Sequence, residues 1–309
     1  MPGEPLDQLR DQLDPGACRL ANLPGRIWLF GGAFGGDKSA PPSSLREAFW
    51  RKSLATPPSP QLKWTSELEI PENHPGWWAF SGYDDLLTFE RDACHLARAI
   101  VLIPESPGSL AELGALAVDD SIVSRLLVVV QSRYLEAPAR ESFLNLGPLK
   151  RAEALKNRCV IGATGNDLPD DDFEAIAEFV HERLPSLPST ERLRVDMPTH
   201  RFLLTADLVD LLLICRPQEL QVALNHFQVD LSIQDIERSA RLLEFFGLIR
   251  IEHRGSEHFL VRREKADRTW VNYTARDGMP PFDRSRFKLA RRSLLEGNRR
   301  LMSVLERTE

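Results

Sequence analysis

Cysteine is scarce in this chain: Cys18, Cys94, Cys159 and Cys215 are the only four in 309 residues, and no two form a CxxC pair. With no histidine at ligand spacing beside them, the pattern excludes both a zinc site and a disulfide framework, and a reducing compartment is expected. Long apolar runs are missing too. Nothing approaches the roughly 18 consecutive apolar residues of a membrane span. The opening MPGEPLDQLRDQLDPG carries no basic stretch followed by an apolar one, so a secretory leader is not expected and the chain reads as cytoplasmic. Positive charge is in deficit, with 39 Lys and Arg against 45 Asp and Glu and a net charge of -6, which argues against a protein that coats nucleic acid with its whole surface. Internal repeats are absent. The glycine-rich GGAFGGDKS at 31–39 lacks an unbroken Gly-Lys-Ser, because Asp37 interrupts it, and an ATP-hydrolysing phosphate loop is excluded.

What is present is an ordinary soluble composition, 42% hydrophobic and 27% charged, in a length that suggests two domains. From Arg26 onward, short apolar runs alternate with amphipathic ones: RIWLFGG, AIVLIPES at 99–106, SRLLVVVQS at 124–132 and RCVIGA at 158–163. Helical spacing falls between them, over 43–54, 85–97, 109–119 and 170–183. Near-continuous Val, Leu and Ile without polar alternation marks strands buried on both faces, so a doubly wound parallel sheet in an α/β domain is predicted over 26–185. Ligands of such sheets sit beyond the carboxyl ends of the strands, here GGAFGG and PESPGS. Residues 1–25 read as a helical extension. The Pro- and Ser-rich LPSLPSTERLRVDMP closes the α/β pattern, and residues 186–309 read as helices over 200–215, 217–227 and 233–246 followed by a hairpin, the outline of a winged helix-turn-helix with a basic helix after it.

The most informative string is PESPGSLAELGAL at 104–116, which joins a strand end, a Pro/Gly turn and a helix start. Its plain reading is a capping box in which Ser109 and Glu112 close the helix amino terminus. The same string resembles the characteristic run of the nucleoside deoxyribosyltransferase-like effectors of bacterial retron defence systems, matched here at Pro104, Glu105, Ser106, Pro107, Gly108, Ser109, Glu112, Leu113, Gly114 and Ala115. FLNLGPLK at 143–150, the glycine pair Gly31 and Gly32, and FDRSRF at 282–287 are similar to further parts of that family. The resemblance implies a flavodoxin- or Rossmann-like α/β domain joined to a carboxyl-terminal winged helix, and a toxin that splits N-glycosidic bonds of NAD+ or a related nucleotide, with no further cofactor. It also implies a reverse transcriptase and its branched RNA–DNA product (msDNA) as partners, and a homo-oligomer.

Carried over to this sequence, Glu112 matches the glutamate nucleophile of the deoxyribosyltransferases. A carboxylate attacking the anomeric carbon gives a glycosyl-enzyme and divides one difficult displacement into two easier ones. Ser109 and the backbone around Gly108, with Glu105, Ser106, Gly31 and Gly32, are expected to line the substrate site. Asn145 is expected to reach substrate across a subunit interface, or else to cap a helix end before Pro148. A neutral base leaves slowly unless protonated, so a second acid is expected among Asp84, Asp85 and Glu90, each of which also reads as a solvated helix-start acid. The tryptophan pair of HPGWWAFSGY suits packing or base stacking.

Residues 250–309 hold 15 Lys or Arg against 9 Asp or Glu, making this the one stretch suited to a polyanion. The helix over 233–246 mixes Arg238 and Arg241 with Asp235, Glu237 and Glu244, a poor reader of duplex DNA. Phosphate or partner contacts are expected instead from Arg250, His253, Arg254, Arg262, Arg263 and Lys265, then Arg284, Arg286, Lys288, Arg291 and Arg292. Two other functions fit less of the pattern: a nucleotide-sensing winged-helix DNA-binding regulator without catalysis, and a metabolic deoxyribosyltransferase.

Overall fold

The computed structural model describes residues 5–21, 25–37, 39–57, 59–187, 190–255, 257–263 and 269–306. Helix α1 (Pro5–Gln12) and strand β1 (Arg19–Leu20) come first. Then follow β2 (Ile27–Phe30), α2 (Leu45–Ala55), β3 (Leu68–Glu69), α3 (Leu86–His95), β4 (Ala99–Leu102), α4 (Pro107–Ala117), α5 (Asp120–Val123), β5 (Leu126–Gln131), α6 (Lys150–Ala154), β6 (Arg158–Ile161) and α7 (Asp170–Arg183). The remaining chain forms β7 (Glu191–Arg192), α8 (Pro198–Leu212), β8 (Ile214–Cys215), α9 (Pro217–His226), α10 (Ile233–Phe245), β9 (Ile249–Arg254), β10 (Glu257–Arg262), β11 (Val271–Asn272), α11 (Arg284–Glu296) and α12 (Arg299–Glu306). Two compact units result: Pro24–Phe80 with Asp84–Pro188, and Met1–Leu23 with Ser81–Tyr83 and Ser189–Glu309. Among the described residues no helix is long and apolar enough to cross a membrane.

The first of these units is an α/β fold of the Rossmann-like kind. Its five strands are all parallel, in the order β3-β2-β4-β5-β6. Every residue of β2, β4 and β5 is buried, as their unbroken apolar runs require. On one face Ile27, Leu29, Val101 and Val129 pack with Phe49 of α2 and Ile176 and Val180 of α7. On the other, Trp28 meets Trp77 edge-on and its indole donates to the Ala93 carbonyl of α3. The chain leaves β2 for β3 on one side and continues to β4 on the other. That reversal opens a crevice beyond the carboxyl ends of β2 and β4, where ligands of such sheets bind. Strand β3 is absent from the sequence reading, because two residues at a sheet edge leave no period to detect.

The second unit takes in the amino-terminal segment, which the sequence reading set apart as an extension. Strand β1 pairs antiparallel with both β11 and β7, through Leu20 opposite Val271 and Glu191. Helices α8, α9 and α10 accompany a second antiparallel sheet in the order β8-β10-β9, with Arg254 opposite Glu257 at its hairpin. Gly247, at φ +68°, ends α10. On α8, the fully buried Asp207 accepts the N–H groups of Trp270 (2.9 Å) and Val271 (3.2 Å), the Tyr273 hydroxyl (2.7 Å) and the Arg284 guanidinium. Burial pushes its carboxyl up while Arg284 and these donors pull it down, so charge and hydrogen bonds join α8, β11 and α11 at one point.

Candidate active site

The amino terminus of α4 decides what Glu112 is free to do. Ser106, not Ser109, is the cap residue: its hydroxyl accepts the Ser109 N–H at 3.1 Å, and the Ser109 hydroxyl accepts the N–H groups of Ser106 (2.9 Å) and Glu105 (3.0 Å). The capping box thus sits one turn earlier than the Ser109–Glu112 box expected from sequence, and it leaves Glu112 out. Ser109 is 1% exposed and its hydroxyl is held within the cap. The hydroxyl expected at a ribose hydroxyl or phosphate is committed to these cap bonds. Ser106 is likewise engaged as the cap, whereas Gly108 stands exposed in the first turn.

Glu105 is a brace. Its carboxylate accepts N–H groups from Gly32 (3.0 Å), Leu45 (2.7 Å) and Arg46 (2.9 Å), tying the end of β4 to the loop after β2 and to the start of α2. Charge-assisted bonds to three otherwise unpaired amides make it a structural tie at the position expected to line the substrate site. Gly31 and Gly32 serve the same junction: a Cβ on Gly31 would stand 2.8 Å from the Arg46 Cβ, and one on Gly32 2.8 Å from the Ser44 Cβ and 2.9 Å from the Glu105 carboxyl carbon. The glycines let the chain's own elements close together. The rest of that loop folds onto Glu47, whose carboxylate accepts N–H groups from Gly35 (3.1 Å), Gly36 (3.3 Å) and Ser43 (2.8 Å). Burial opposes ionisation of Glu47, but these bonds, the Ser43 hydroxyl and Arg51 bring its pKa down to about 2. The amides that a phosphate loop would offer to an anion are occupied by this carboxylate.

Three carboxylates and one guanidinium remain around the crevice. Oε2 of Glu112 is buried and meets no hydrogen-bond donor among the described residues. Burial, then the charge of Glu90 and more weakly Glu72, raise the Glu112 pKa from the ordinary 4.5 to about 7, against the pull of Arg46. Glu90, on α3, is 9% exposed and accepts the Trp77 indole N–H at 3.1 Å; burial raises its pKa too, with Trp77 and Arg46 opposing and Glu72 adding. Arg46 is 5% exposed and forks onto Glu72 through Nη2 (2.6 Å) and Nη1 (3.3 Å). Sequence reasoning named Glu112 and Glu90 but missed Arg46 and Glu72, which lie 26 positions apart in no short motif. Asp84 is exposed with no contact to this group among those described, and Asp85 caps α3 by accepting the Thr88 N–H at 2.7 Å, whereas the charge of Glu90 acts on Glu112. Trp77 is fully buried against Trp28 and Phe89, while Trp78 is 61% exposed.

Asn145 is turned inward. Its Nδ2 donates to the carbonyls of Tyr134 (2.6 Å) and Ala139 (2.9 Å), fastening the loop before it. In the second unit Arg291 is also structural: it is 9% exposed, donates to the carbonyls of Leu212 (3.2 Å) and Ile214 (3.1 Å), and pairs with Glu219 at 2.6 Å. This buried guanidinium satisfies carbonyls at the end of α8 and the start of β8. Arg284 and Lys288 pair with Asp210. Arg263 is exposed and donates to the Gly247 carbonyl at 2.8 Å, and Arg254, Arg262 and Arg292 are partly exposed. Lys265 lies outside the described residues.

Comparison with known proteins bears on both units. Two Escherichia coli proteins are similar in part: retron Ec86 "putative ribosyltransferase/DNA-binding protein", 28% identical over 158 residues (50% of this chain, 46% of the relative), and the retron Ec73 protein of the same description, 36% identical over 67 residues (22% and 20%). The matched stretches thus span less than half the length of either relative. A family model described as STM3845 retron effector protein matches residues 42–251, from just before α2 into β9. With more than half of its length matched, the chain belongs to the STM3845 retron effector family.

Proposed function

We propose that this protein is the toxic effector of a retron defence system and cleaves the N-glycosidic bond of NAD+ or a related nucleotide, with Glu112 as nucleophile and Glu90 as the second acid. The observation that carries this reading is the Glu112 carboxyl itself, buried, without a donor on Oε2 among the described residues, and left out of the helix cap. Burying an ionisable group without a partner costs stability and is a mark of sites kept for chemistry. Membership of a retron effector family supports the effector role, and the ribosyltransferase names of the relatives support glycosyl transfer.

In the first step a Glu112 carboxylate oxygen bonds to the anomeric carbon as the bond to the base nitrogen breaks, its electron pair leaving with the base. Nicotinamide, bound as a pyridinium, departs neutral without a proton; a neutral base would take one from Glu90. In the second step water attacks the same carbon, the ester to Glu112 breaks, and the water proton passes to Glu90 or to solvent. The reverse transcriptase and its msDNA are proposed to restrain the toxin. The order α8-β8-α9-α10-β9-β10 supports reading the second unit as a winged helix that docks there, through Arg254, Arg262, Arg263 and Arg292.

Expression of wild type beside Glu112→Gln tests this. The wild type is expected to arrest growth and deplete NAD+ while the variant, folded and equally abundant, does neither. Equal toxicity of both would remove Glu112 from the chemistry.

A further inference from the structure

Of the tryptophan pair in HPGWWAFSGY, Trp78 is exposed and Trp77 is fully buried. Three rings clamp Trp77: Trp28 at 4.9 Å and Phe30 at 6.3 Å, both on β2, and Phe89 at 4.9 Å, on α3. Edge-to-face and tilted contacts of this kind fix the plane of the indole and with it the direction of its N–H. That N–H donates to Oε1 of Glu90 at 3.1 Å. Glu90 follows Phe89 in α3, so one helix both packs the indole and accepts its hydrogen bond, and α3 in turn packs against α4, the helix of Glu112. The charges of Glu72 and Arg46 also act on Glu90, and its own charge acts on Glu112 and on the Cys94 thiol, which burial keeps neutral.

We propose that Trp77 is a positioning residue for Glu90: its indole N–H holds Oε1 as an acceptor, leaves the acid proton on Oε2, and takes up the negative charge that Glu90 acquires when that proton passes to a departing base. The proposal rests on the reading of Glu90 as the second acid. An indole nitrogen donates and never accepts, so the oxygen it meets is held as the acceptor of the carboxyl. Burial raises the Glu90 carboxyl above its ordinary range and favours the protonated form. As the glycosidic bond breaks, its electron pair passes to the base nitrogen, the Oε2 proton joins that nitrogen, and Glu90 is left a carboxylate. The bond from Trp77 becomes charge-assisted as this happens and strengthens, which lowers the barrier of the step. Nicotinamide leaves NAD+ neutral without taking a proton. Trp77 therefore governs which bases the site can release, not the attack by Glu112.

The test uses the full-length protein and Trp77→Phe, which keeps an aromatic ring in the cluster and removes the donor. With AMP, whose adenine leaves readily only when protonated, kcat is expected to fall roughly ten-fold or more in Trp77→Phe, while kcat for NAD+ is unchanged. In protein labelled with 13C at the glutamate side-chain carboxyls, with the Glu90 signal assigned by its loss in Glu90→Gln, the Glu90 midpoint is expected to rise by about one pH unit. Equal losses on both substrates, or an unmoved midpoint, would make Trp77 a packing residue and overturn the proposal. If Trp77→Phe does not fold, wild type decides: one tryptophan indole 15N signal must titrate at the Glu90 midpoint and stay flat in Glu90→Gln, and the lack of such a signal overturns the proposal. AMP cleavage unaffected by Glu90→Gln rejects the acid reading and the proposal with it, whereas a loss in Glu90→Gln but none in Trp77→Phe rejects the proposal alone. Where wild type does not cleave AMP, the Glu90 midpoint in Trp77→Phe decides.

Discussion

Glu112, the proposed nucleophile, carries a cost to the fold. Its pKa in the folded protein lies near 7, above the ordinary 4.5, so the folded state holds a proton that the unfolded state has already lost over that interval. A raised folded pKa contributes its stability below pH 4.5 and loses it as pH rises through 7, at a cost on the order of 3 kcal/mol once the group is ionised. Glu112→Gln escapes that loss. Its melting temperature relative to wild type is expected to climb between pH 4.5 and 7 and to level off above, whatever fixed penalty the amide brings; a difference independent of pH would mean that Glu112 is solvated. The same titration requires wild-type activity to rise with pH through about 7. Glu112 and Glu90 were legible in the sequence because a motif and a helix-start acid drew attention to them. Arg46 and Glu72 were not, since their pairing depends on how α2 and the turn at Pro71–Asn73 meet beyond the sheet, and neither carries a local pattern.

At the level of elements, the apolar runs at 99–106 and 124–132 foretold β4 and β5, and helical spacing foretold the helices beside them, because burial on both faces leaves its mark in composition. The two-residue strands β1, β3, β7, β8 and β11 left no such mark. The cap of α4 was misplaced by one turn, since Ser106-Ser109 and Ser109-Glu112 share the same spacing. Pro107 was the overlooked signal, as proline favours the first helical position and so points to Ser106 as the cap. Glu105 belongs to this scale because it joins elements. Glu105→Ala strips a carboxylate from three amides and is expected to lower stability by about 2–4 kcal/mol while also reducing kcat/KM for NAD+ as the crevice walls separate. Thermal melting alongside steady-state kinetics checks it. A rise in KM with unchanged melting would instead place Glu105 on the substrate.

For the whole molecule, the separation between catalytic and docking roles can be tested on the arginines of the second unit. Arg291→Ala is expected to destabilise the protein by about 3 kcal/mol, because it uncovers buried carbonyls and leaves Glu219 without its partner. Arg254→Ala is expected to stay within about 0.5 kcal/mol of wild type but to bind a fluorescent single-stranded DNA less tightly, with a shallower salt dependence. Unchanged DNA binding in Arg254→Ala would direct attention to protein contacts in place of phosphate. Neither change alters the α/β crevice, so NAD+ hydrolysis by folded Arg254→Ala should match wild type.

The central claim, that Glu112 is the nucleophile of an N-glycosidase, is tested most directly by nicotinamide release from NAD+ by the purified protein at pH 7, wild type beside Glu112→Gln. Release by wild type, reduced roughly 10³-fold or more in a variant that melts cooperatively, is the expected result. Release at the same rate from both proteins would contradict it.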